Sequence, residues 1–183
     1  MSQIYIHPKR KTKVVFVQLG SPSEPTTKAL RKYLRKFLGD PRVVDINPWL
    51  WKIILNFFVL PFRPKKSAKL YARIWDGKSF PLITNTRDFT NIVREELKKI
   101  DPNGHVEVNH AFLLSPPYVN EVYDSWEDDL KKGIGATKLL VIPMFPQYSE
   151  STIASGIDAL AKELSKRVKI PTFEVITNFH RTH

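Results

Sequence analysis

Two histidines stand where a ring nitrogen could ligate a metal. His110 follows Val106 and Val108 at the two-residue period of a strand, so it shares their face. His180 follows Asn178 and Phe179, where a loop is expected after the last apolar run. A ring nitrogen in either place could ligate iron or another transition metal; a hydrogen-bonded structural role is the alternative for each. Met144 and Tyr148 are weaker candidate ligands, and His7 and His183 lie near the termini. A second chemistry is offered by the run Trp49 to Phe62, followed by Arg63, Lys65, Lys66 and Arg73. Phe57, Phe58 and Phe62 supply flat apolar faces, and the cations favour carboxylates. The run suits either a ligand-covering or interfacial segment or a buried core helix. It is too short to span a bilayer, which takes about 20 apolar residues, and it contains Lys52, Asn56 and Pro61. Glu150 and Asp158, eight residues apart, fall on roughly one helix face. They could line a cleft or simply cap and solvate. No histidine is placed opposite them, so no proton-abstracting pair is assembled.

Alternating elements must position these groups. Lys13 to Leu19 reads as a buried strand ended by Gly20-Ser21-Pro22. Thr26 or Thr27 caps a helix that carries Leu30, Tyr33, Leu34, Phe37 and Leu38 inward and stops at Gly39-Asp40-Pro41. Pro81 to Thr84 reads as a short strand and Thr86 to Ile100 as a helix. A strand from about Val106 to Leu114, a helix over Val119 to Lys132 and a strand over Lys138 to Pro143 follow. A helix within Ser149 to Val168 and a strand over Thr172 to Ile176 complete the pattern. The expected class is α/β, a parallel-rich sheet of four to five strands with helices on both faces. Residues 1–12 read as a basic arm and 13–183 as a single domain. Ligands of such sheets bind beyond the carboxyl ends of the strands, which places Gly20, Ser115, Tyr148 and His180 near one rim.

The chain has 183 residues and a formal net charge of +11. That charge favours anionic partners, although no phosphate loop, zinc spacing or RNA-binding aromatic signature points to nucleic acid. The absence of cysteine excludes disulfides and thiolate chemistry. With no secretory signal visible, the expected compartment is the cytoplasm, with membrane association open.

Several ordered segments resemble the ferrochelatase family. Gln18 to Thr26 resembles the family's first strand and loop, and Tyr33 to Asp45 its following helix and turn. Leu60 to Tyr71, with Ile74 and Trp75, is similar to the family's lip segment. Pro143 to Thr152 is similar to its Pro-Gln-Tyr-Ser-x-Ser-Thr motif, and Asn178-Phe179-His180 stands where Asp-Tyr-His is common. The likeness runs from about Lys13 to the end.

The resemblance implies a tetrapyrrole ligand. Ferrochelatases insert ferrous iron into protoporphyrin, in a cleft between two similar α/β halves, and the metal-inserting residues belong to the second half. The segments above match the first half. Where the family carries Arg-Tyr-Gly, this chain has Leu113-Leu114-Ser115. The implied porphyrin-binding residues are Leu19, Gly20, Phe62, Arg63, Lys65, Tyr71, Arg73, Ser79 and Tyr148, with His110 or His180 as iron ligand. The expected function is porphyrin or haem binding without the usual metal insertion, in a homodimer. The alternatives are an active ferrochelatase, as a homodimer or with a separate C-terminal half, and a peripheral membrane or protein-interaction module.

Overall fold

The computed structural model describes residues 11–133 and 136–179. Most of the basic arm, along with His7, His180 and His183, lies outside them. The chain runs β1 (Thr12–Gln18), α1 (Thr27–Leu38), α2 (Pro48–Ile54), a π-helical turn (Leu55–Val59) and α3 (Leu60–Tyr71). It continues through a 3-10 turn (Ala72–Ile74), α4 (Pro81–Ile100), β2 (Val106–Phe112), α5 (Val119–Lys131) and β3 (Lys138–Pro143). A second π-helical turn (Glu150–Ala154), α6 (Ser155–Leu164) and β4 (Thr172–Val175) follow.

The four strands form one parallel sheet in the order β2-β1-β3-β4. β1 is central, and five consecutive residues of it, Lys13 to Val17, are buried. On one face Val15, Val17, Leu139 and Val141 pack against Tyr123 and Trp126 of α5 and Leu160 and Leu164 of α6. On the other, Val14, Phe16 and Val108 pack against Val93 and Leu97 of α4. Over β3 this second face is less covered: Leu140, Ile142 and Met144 are only half-buried.

Pro81 to Thr84 is the first turn of α4, not a strand. Pro81 occupies the first helical position, where a missing N–H costs nothing and its fixed φ suits the helix. Phe80 is buried just before it, and the hydroxyls of Thr86 and Thr90 donate to carbonyls four residues back at 2.7 Å. A four-residue apolar run is ambiguous between strand and helix until its continuation is known.

Lys13 is the one charged residue buried within β1. Its Nζ lies 3.4 Å from Glu107 and 3.7 Å from Asp129, with no hydrogen bond to either. Desolvation of an ammonium offsets most of such a gain. Lys13→Met is therefore expected to leave stability unchanged or raise it by about 1–2 kcal/mol, read as a rise in the denaturant midpoint.

Candidate functional site at the strand ends

The rim is organised around Gly20. Its φ is +93°, a backbone conformation that L side chains rarely adopt, and a Cβ there would lie 2.4 Å from Ser115 Oγ. The β1 and β2 chains stay paired past their strands: the Leu113 and Leu114 amides donate to the Gln18 and Leu19 carbonyls, both at 3.0 Å. Leu19, half-buried, and Gly20, buried, thus form a fixed edge. Ser115 Oγ accepts from the Ser21 amide at 3.3 Å.

Helix α1 joins this edge to the long segment that follows. Thr26 caps α1 by accepting from the Ala29 amide. The Tyr33 hydroxyl donates to the Gly20 carbonyl at 3.4 Å. Burial, then the neighbouring Tyr71 hydroxyl, raises the Tyr33 pKa well above its usual value, so Tyr33 stays a donor. Tyr71 packs edge-on to Tyr33 and to Phe80, at 6.2 and 5.5 Å between ring centroids. Ser79 lies just before Phe80, in a turn where its amide donates to Asp76 at 2.6 Å. The expected residues Gly20, Tyr71 and Ser79 are brought together through one aromatic chain.

Residues 48–74 form an amphipathic layer over α1. Asn47 caps α2 through the Trp49 and Leu50 amides. Leu55 and Leu60 are buried with Tyr33, Leu34 and Leu38, and the Trp51 ring N–H donates to the Leu38 carbonyl at 2.6 Å. Pro64 cannot donate to the Leu60 carbonyl four residues back, and Arg31 Nε of α1 donates to it instead at 3.3 Å. The outward side carries Trp49 (78% exposed), Ile53, Phe57, Phe58 and Phe62 (68% exposed). Arg63, Lys65, Lys66, Lys69 and Arg73 are exposed on the same segment. Of the two readings of the run, the structure shows a half-buried layer with a free apolar side.

Across the rim, Tyr148 is exposed on the loop after β3, ahead of the π-helical turn at Glu150. Such turns frequently mark functional positions, and this one begins within the Pro143–Thr152 segment that resembles the family. Asp158 is held by Arg42, at 2.8 and 3.2 Å. The Arg42 guanidinium keeps the Asp158 pKa below the usual carboxylate range. A crevice of about 150 Å³ lies between Leu19, Phe37, Leu114, Ser151 and Asp158.

His110 stands apart from these groups. It shares a face with Val108, as its spacing indicates, but on edge strand β2, paired with Phe16 and beside α4. Its Nδ1 is buried without a hydrogen-bond partner. Burial, then Arg94 and Arg87, lowers its pKa. Those guanidinium groups oppose a cation at this ring. Among the described residues no cluster of three or more His, Asp or Glu side chains could hold a metal. Because the folded ring binds its proton less readily than the unfolded one, its contribution to stability is complete above about pH 6.5. It is lost as pH falls from there through the lower folded value. His110→Leu is expected to flatten the dependence of the denaturant midpoint on pH below about 6.5.

The ferrochelatase family profile matches residues 11–183. The chain belongs to the ferrochelatase family. A ferrochelatase of Idiomarina loihiensis is 41% identical over 170 residues, covering 93% of this chain and 45% of that protein. One of Marinobacter nauticus is 39% identical, covering 91% and 44%. A coproporphyrin III ferrochelatase of Streptococcus mutans is 38% identical, covering 94% and 52%. This ferrochelatase-family chain therefore spans about half the length of these relatives and corresponds to their N-terminal half. The parallel sheet agrees with an α/β chelatase-like fold. Sequence reasoning did not single out Tyr33 as a site residue. Its helical spacing marked it as core, and only its bond to Gly20 and its contact with Tyr71 show it bridging the rim and the outer layer.

Proposed function

We propose that this ferrochelatase-family domain binds a porphyrin or haem against the 48–74 layer and the rim, and that it does not insert the metal by itself. The observation that carries the reading is the free apolar side of that layer, with exposed cations along it. A macrocycle matches both, with a flat apolar ring and carboxylates. Leu19, Gly20, Tyr71, Ser79 and Tyr148 form the rim side of the site. Phe62, Arg63, Lys65 and Arg73 form the outer side. The family resemblance assigns metal insertion to residues of the second half.

The test is a haemin titration followed at the Soret band, repeated with coprohaem, whose four carboxylates would engage more of the cations. A saturable shift is expected. An anaerobic assay with ferrous iron and protoporphyrin separates binding from catalysis. No protohaem is expected from this chain alone, and steady formation would make it an active ferrochelatase.

The exposed Trp49, Ile53, Phe57 and Phe58, next to Lys52 and Lys66, favour a second reading, contact with an anionic membrane surface. Sedimentation with anionic rather than neutral vesicles would reveal it. No helix among the described residues is long and apolar enough to cross a membrane. The same apolar side supports a homodimer, since large exposed apolar patches are commonly buried in partners. Light scattering at micromolar concentration, with and without haemin, tests that assembly.

A further inference from the structure

We infer that the cavity between α1 and the loop joining β2 to α5 is a separate site for a small polyvalent anion, one carrying phosphate or several carboxylates. The cavity measures about 290 Å³. A single water needs only about 10–15 Å³ on this measure, so an organic or condensed anion fits. Lys32 and Lys36 line it from one face of α1. Two like charges four residues apart on a helix repel each other. Neither has a carboxylate within ion-pair distance among the described residues. Lys36 Nζ instead donates to the neutral Tyr118 hydroxyl at 3.0 Å and lies 4.3 Å from that ring's centre. The Lys32 side chain makes no hydrogen bond or ion pair among the described residues.

The rest of the lining suits an oxyanion. Ser21, Ser23, Ser115 and Tyr118 bring hydroxyl groups, and no lining residue is acidic. Ammonium and hydroxyl groups are the donors that oxyanions take. Leu114 lines both this cavity and the rim crevice, so the two adjoin. None of the residues assigned above to the tetrapyrrole lines this cavity, so the site is next to the proposed tetrapyrrole site and distinct from it.

The probe is inorganic pyrophosphate, titrated against chloride at constant ionic strength and followed by thermal denaturation and calorimetry. A saturable rise in Tm is expected, because a ligand of the folded state raises stability by mass action. Lys32→Met, which removes no bond from the fold, and Lys32→Met/Lys36→Met are expected to weaken binding at least tenfold. Lys98→Met, at an exposed position of α4 outside both proposed sites, is expected to leave it unchanged. An equal, non-saturating rise in all four proteins, or no rise, would overturn the site. A haemin titration with and without pyrophosphate then identifies the source of the anion. Competition that vanishes in the double variant means that a tetrapyrrole carboxylate occupies the cavity. Independent binding means a free anion. If haemin does not bind at all while pyrophosphate does, the tetrapyrrole reading fails and this site stands.

Discussion

Gly20→Ala is expected to lower the unfolding free energy by about 2–4 kcal/mol, with a fall in Tm of roughly 5–15 °C. Two effects act together. A φ of +93° is strained for any residue with a Cβ. The new methyl would also stand 2.4 Å from Ser115 Oγ, 3.1 Å from Phe112 Cβ and 3.2 Å from the Ser115 amide nitrogen. Ser115 cannot retreat freely, because its Oγ accepts from the buried Ser21 amide. Ser115→Ala alone leaves that amide without its partner, a loss of about 1–3 kcal/mol. In the Ser115→Ala background the cost of Gly20→Ala should shrink, since the shortest contact is gone while the φ strain remains. A double-mutant cycle in denaturant reads this coupling directly. Additive costs would mean that the backbone conformation alone explains the glycine.

Phe62→Ala is expected to weaken haemin binding about tenfold while leaving the fold intact. The ring is largely exposed on α3, so its removal opens no core cavity. A phenyl face losing on the order of 60 Å² to a macrocycle contributes about 1.5 kcal/mol at about 25 cal/mol per Å², which is close to a factor of ten in Kd. Lys65→Ala should cost at most about 1 kcal/mol, and its effect should vanish in high salt. Tyr71→Ala is a poorer probe, because Tyr71 also packs on Tyr33 and Phe80 and its loss disturbs the rim. A Soret titration at two salt concentrations separates the cases. If salt abolished binding and Phe62→Ala were silent, surface charge would be capturing the ring.

The alternation of strand and helix was legible in the sequence because buried parallel strands are continuous apolar runs and their helices repeat at 3.6 residues. Val14 to Val17 face a core on both sides of the sheet, whereas of Leu139 to Ile142 only Leu139 and Val141 do so fully. Gly20 was legible as a turn, and the Pro-Gln-Tyr-Ser segment as a family signature. Both are local: a backbone conformation or a short motif is carried by neighbouring residues. Pro81 to Thr84 was not legible, since four apolar residues satisfy either period and the buried Phe80 that decides the matter lies outside the run. Only the tertiary structure decided which side of the Trp49–Phe62 run stays free, because that depends on where α1 and the Leu38 and Leu60 carbonyls lie. It also decided that His110 lies on an edge strand within the influence of Arg94 and Arg87, and that Lys32 and Lys36 face hydroxyls about eighty residues away in the chain. Such facts depend on pairings between distant residues, and spacing along one segment carries no information about its partner.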